Sequence, residues 1–94
     1  MIIFQSRSFE NKVKKLNEKE KYELDNEIKQ IIQNPLIGAE KKGDLRGVFV
    51  HKFNLQNHLY LLSYRFIKEK SLELIMIGPH ENYYRRVNLT AGGG

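Results

Sequence analysis

The chain has 94 residues and a formal charge of +5, enough for one small domain with a modest core from its 40% hydrophobic content. It has no cysteine, which excludes disulfides and thiolate zinc sites, and its three histidines lack the close His/Asp/Glu company of a metal centre. No apolar run approaches the ~20 residues that cross a bilayer and the N-terminus lacks a signal-peptide pattern, so a soluble cytoplasmic protein without membrane contact is expected.

Ile2-Ile3-Phe4 is a short β-prone run and is expected to form a first strand. Ser6 or Ser8 caps the helix that follows, in which Phe9, Val13 and Leu16 recur on one face. Asn17-x-x-Glu20 has the form of a capping box and restarts the chain as a second helix. Leu24, Ile28, Ile31 and Ile32 give that helix its apolar stripe, and Asn34-Pro35 ends it, because a residue before proline avoids the α region. The mixed charge run from Lys19 to Glu27 reads as a solvated helix face.

Residues 35–47 hold Pro35, Gly38, Gly43 and Gly47 with Lys41, Lys42 and Arg46 between them, and read as a loop. Three strands are expected next, over Val48–Leu55, His58–Ile67 and Ser71–Ile77, joined by short hairpin connections. Gly78-Pro79 ends the third. His80 to Leu89 is expected to add a short helical segment, and residues 90–94 a flexible tail outside the domain of residues 1–89. The fold class is therefore α+β, with the order β-α-α-β-β-β and an antiparallel sheet packed on a helical hairpin.

Side chains alternate across a strand, so register decides which residues share a face. If Leu55 pairs with His58, one face collects Phe49, His51, Phe53, Leu55, Tyr60, Leu62, Tyr64 and Phe66, and should pack on the helices. The other collects Val48, Val50, Lys52, Asn54, Leu61, Ser63 and Arg65, half of them polar. Lys52 and Arg65 project from rigid strands; Arg65 is either an anion clamp or the cross-strand partner of Glu73. His51, on the apolar face, and His58, at a strand start, read as structural.

The charge is unevenly placed. Residues 1–40 hold seven Lys/Arg and seven Asp/Glu, whereas residues 41–94 hold nine against four. Such a local excess attracts polyanions, nucleic acid among them. The run Gly78-Pro79-His80-Glu81-Asn82-Tyr83-Tyr84-Arg85-Arg86 is the densest in chemistry, with an imidazole, a carboxylate, two phenols and two guanidiniums. Histidine serves as acid or base near neutral pH, and tyrosine can stack on a base or give a proton. The competing reading has His80 turning the chain, one tyrosine in the core and both arginines solvated.

The element order and the stretches FQSRSFENKVKKL, NPLIG, KGDLRG, VFVHKFNL, LYLLSYRF and GPHENYYR together resemble the RelE/ParE toxin superfamily of bacterial type II toxin–antitoxin systems, over residues 1 to about 88. The resemblance implies a ribosome-dependent, metal- and cofactor-independent endoribonuclease that cuts mRNA in the A site. It also implies a cognate antitoxin, with a toxin–antitoxin hetero-oligomer, and the 70S ribosome and mRNA as further partners. The catalytic roles fall on Lys52, Arg65, His80 and Tyr84, with Tyr83 competing for the last. RNA contacts fall on Lys41, Lys42, Arg46, Tyr83, Arg85 and Arg86. The ParE branch, which inhibits DNA gyrase without nuclease activity, is the alternative; the imidazole and phenol of the terminal run favour the RelE branch.

Overall fold

The computed structural model describes residues 2–43, 47–68 and 70–80. Its elements in chain order are β1 (Ile2–Gln5), α1 (Arg7–Lys14), α2 (Glu18–Gln33), β2 (Ala39–Glu40), β3 (Val48–Leu55), β4 (His58–Lys68) and β5 (Ser71–Pro79). The strands form one sheet in the order β1-β5-β4-β3-β2. The sheet is antiparallel except at one edge, where β1 runs parallel to β5. The α+β class and the helical hairpin are as expected. Two details differ. Ala39 and Glu40 lie in the expected loop yet pair with Val50 and Phe49 as a two-residue edge strand, and β5 runs on through Gly78 to Pro79, which pairs with Tyr60. Proline lacks an amide hydrogen, and the last residue of a strand tolerates that loss.

Both helices begin where the sequence sets a cap. The Ser6 Oγ accepts from the Phe9 amide at 3.0 Å and donates to the Ile75 carbonyl at 2.5 Å. The second bond reaches a β-bulge: Ser63 pairs with Met76 but Tyr64 with Leu74, leaving Ile75 as the extra residue. That extra residue explains why Leu72, Leu74 and Ile77 all enter the same core although their spacing breaks strict alternation. Asn17 and Glu20 close the capping box at 2.8 and 2.9 Å. α2 stops with Asn34 as its C-cap, in front of Pro35.

The β3–β4 hairpin turns on Gln56 and Asn57, whose φ values of 50° and 70° are both positive. That is the pattern of a two-residue type I′ turn, whose twist matches its strands. It pairs Leu55 with His58 and Lys52 with Leu61, so the expected faces hold. Positive φ strains a glutamine, and α2 holds it in place. Glu23 accepts the Gln56 amide at 3.0 Å through Oε1 and the Gln56 side-chain amide through Oε2. Four residues on, Glu27 Oε1 lies 2.8 Å from Nε2 of His51, a buried ring stacked on Phe53. The run from Lys19 to Glu27 is therefore not wholly solvated: Glu23 and Glu27 share the inward face with Leu24 and tie α2 to β3 and its turn.

The core lies between the helices and one face of the sheet. Phe9, Leu24 and Ile31 meet Phe49, Phe53, Leu55, Leu62, Tyr64, Leu72, Leu74 and Ile77 there. Phe49 stacks on Tyr64 at 5.5 Å and meets Phe66 edge-on at 5.8 Å. Tyr64 is fully buried, and its hydroxyl donates to the Pro35 carbonyl at 2.6 Å and accepts the Gly38 amide at 3.1 Å. A Cβ on Gly38 would sit 2.9 Å from that hydroxyl and 3.0 Å from the Val50 carbonyl, so the approach requires glycine. This single phenol pins the segment after α2 to the sheet.

Tyr64→Phe leaves a buried amide and a carbonyl each short of a partner, and should cost about 1–3 kcal/mol in urea unfolding with the slope m unchanged. Burial raises the Tyr64 phenol above its ordinary value, with the Gly38 hydrogen bond offsetting part of the rise. The neutral phenol is thus favoured in the folded state. Its stabilising share is complete below about pH 10, where unfolded tyrosine ionises, and fades as pH climbs further. The alkaline loss of stability should be shallower in Tyr64→Phe than in the wild type; equal profiles would contradict this role.

Candidate functional site

The sheet face opposite the helices carries the residues singled out for chemistry. Lys52 and Asn54 on β3 and Leu59 and Arg65 on β4 are exposed on it. It is less polar than the sequence suggests, because Val50, Leu61 and Ser63 are buried there and Met76 packs against the first two. The cations thus stand at the two ends of an apolar strip.

At one end, Lys52 pairs across β4 with Leu61, which pairs in turn with Gly78 of β5. His80, exposed, follows two residues beyond Gly78. Lys52 and His80 therefore rise from the same end of the sheet, on strands about 10 Å apart with β4 between them. The open-face positions of β3 and β4 are Val48, Val50, Lys52, Asn54, Leu59, Leu61, Ser63 and Arg65, none of them acidic. No carboxylate on these two strands neutralises Lys52.

Arg65 stands at the other end. It lies four residues further along β4 than Leu61, roughly 14 Å along the strand. It pairs with Glu73 across to β5, and its Nε donates to Glu73 Oε1 at 2.7 Å. The sequence left two readings for Arg65, and in the structure it is the cross-strand partner of Glu73. The Arg65 side chain keeps 54% of its surface exposed. An ion pair of that kind contributes at most about 1 kcal/mol, so a phosphate can replace the carboxylate at small cost.

Lys41 and Lys42 follow β2, and the Lys41 amide donates to the Val48 carbonyl at 2.8 Å. Since Val48 pairs with Arg65, these lysines belong to the Arg65 end. Arg46, Tyr83, Tyr84, Arg85 and Arg86 lie outside the described residues. Sequence reasoning placed Glu23 and Glu27 on a solvated helix face and left the Tyr64 tether unassigned. The first two were findable, because helical spacing puts them beside Leu24 and Ile28; the third was not, because it depends on a contact 26 residues away in sequence.

Residues 3–88 match the family model for ParE-like toxins of type II bacterial toxin–antitoxin systems. The chain belongs to that family, within the RelE/ParE superfamily. Among solved structures, the isolated E. coli RelE toxin aligns with a TM-score of 0.64 and 22% identity, over 95% of this chain and 97% of its own. A chain of the intact E. coli RelBE toxin–antitoxin complex aligns at 0.65 and 22% identity, over 82% of this chain and 93% of its own. An E. coli RelE mutant in complex with the antitoxin peptide RelBc gives 0.65 at 20% identity, over 90% and 92%. At these identities the likeness is one of fold. Comparison with curated proteins finds no match.

If the Arg65–Glu73 pair is as weak as its exposure indicates, Glu73→Gln should shift the unfolding free energy by less than about 1 kcal/mol. A loss of several kcal/mol in denaturant titration would make the pair a structural clamp and remove Arg65 from the binding surface.

Proposed function

We propose that this toxin is a ribosome-dependent endoribonuclease that cuts mRNA in the ribosomal A site and so arrests translation. The observation that carries the reading is that Lys52 and His80 rise from the same end of an open sheet face, where the strand neighbours of Lys52 bring no acid. The fold shared with E. coli RelE supports it. A cognate antitoxin is the expected protein partner, in keeping with the RelBE complex and the antitoxin-peptide complex of that fold.

RNA brings its own nucleophile. The 2′-hydroxyl attacks the adjacent phosphorus, a base takes its proton, and the bond to the 5′-oxygen breaks as an acid protonates that oxygen. The products are a 2′,3′-cyclic phosphate and a 5′-hydroxyl. His80 is the acid or base, and Lys52 stabilises the extra negative charge on phosphorus or exchanges the second proton. Arg65 clamps phosphate after leaving Glu73. Tyr84 stacks on a base or assists proton transfer, with Tyr83 as its competitor, and Lys41, Lys42, Arg46, Arg85 and Arg86 bind the RNA backbone.

The family description favours a second reading, a ParE-like inhibitor of DNA gyrase with no nuclease activity. A reconstituted translation reaction separates the two. Removing a positioned acid or base costs on the order of 10²–10⁴ in rate. His80→Ala should therefore lose mRNA cleavage to that degree, and Arg65→Ala, which removes a clamp on the developing charge, about 10²–10³, both in a protein that still folds. Wild-type cleavage in a folded double variant would sink the site assignment, and absence of cleavage by the wild type together with inhibited gyrase would establish the second reading.

A further inference from the structure

A cleft of about 230 Å³ opens where the end of α1 and the first turn of α2 meet the start of β4 and the end of β5. Lys12 and Lys15 stand on one wall and Tyr60 on another, with Leu16, Ile77 and Pro79 giving it apolar surface. Glu20 is the one acid lining it, and an oxygen of that carboxylate is engaged by the Asn17 amide in the capping box. Burial, then the Glu20 charge, raises the Tyr60 phenol above its ordinary value, so it stays a neutral donor at physiological pH. Two ammonium groups, a phenolic donor and an apolar lining are the equipment for a phosphodiester and its attached base.

The charge pattern supports this. Residues 1–40 sum to zero, but not locally: residues 7–21 carry six Lys/Arg against three Asp/Glu, and residues 22–40 one against four. Of the first group, Lys12, Lys15 and Glu20 line the cleft. A helix C-terminus favours cations, which accounts for Lys12 and Lys14 in the last turn of α1. Lys15, the C-cap of α1, adds the second cation of the cleft just beyond that turn. Position completes the case. Pro79 lines the cleft and His80 is the next residue, so a chain leaving the open face at His80 has only the end of β5 to round.

We propose that this cleft is a second phosphodiester-binding site, which holds RNA beyond the reacting nucleotide as it passes around the end of β5; the proposal rests on the ribonuclease reading above. The RNA is either the substrate strand or ribosomal RNA, and the chemistry of recognition is the same for both.

The test uses Lys12→Gln and Lys15→Gln, each made singly in the full chain and keeping most of the stem, with Lys29→Gln on the other side of α2 as a charge-matched control. One arm measures binding to a short single-stranded RNA without ribosomes, the other binding to 30S subunits without mRNA. For each phosphate that no longer meets a lysine, the slope of log K against log salt should fall by about 0.7 on the single strand. Weakening in the first arm assigns the site to the substrate strand, and weakening in the second alone assigns it to ribosomal RNA. If the wild type binds RNA and the cleft variants match Lys29→Gln in both arms, the cleft proposal is overturned and the ribonuclease reading stands. If the wild type binds neither, both fall together.

Discussion

The two-residue turn at Gln56-Asn57 is the constraint on which the rest of the molecule depends. A strand has a period of two, so one residue more or less in that turn would exchange the faces of β3 relative to β4. Phe49, Phe53 and Leu55 would leave the core, and Lys52 would enter it. The turn needs two positive φ angles, and one falls on a glutamine. Glu23 supplies the compensating hydrogen bonds from α2. The helix thus fixes the register of the sheet, and the register places the cations on the face the helices do not cover.

That arrangement divides the labour between the two faces. Beneath the helices the sheet is close-packed and aromatic, with Tyr64 fastening the segment after α2 and Ser6 fastening the bulge in β5. On the open face, rigid strands hold Lys52 and Arg65 at a fixed separation. Rigid elements position groups more precisely than loops do. The bulge at Ile75 matters here as well. It shifts the alternation along β5, so that Glu73 and Gly78 both reach the open face: the first meets Arg65, and the second leads to His80.

Much of this was legible because it rests on local rules. The caps at Ser6 and Asn17, the stop at Pro35 and the hairpin register each follow from a few neighbouring residues. β2 was missed because two residues carry no periodicity, and the parallel placement of β1 was missed because nothing local fixes its partner. The site was legible in part. Alternation placed Lys52 and Arg65 on one face and identified Glu73 as a rival for Arg65. The distance between them along the sheet, the apolar strip they flank and the cleft behind His80 come from packing, to which residues distant in sequence contribute.

The central claim is that the open face acts on RNA within the ribosome. Primer extension on an mRNA incubated with purified ribosomes, with and without the wild-type protein, tests it most directly. The account predicts new stops, in phase with codons, that need both protein and ribosomes. An mRNA left intact under those conditions, by a folded protein that a co-expressed antitoxin still neutralises in cells, would contradict it.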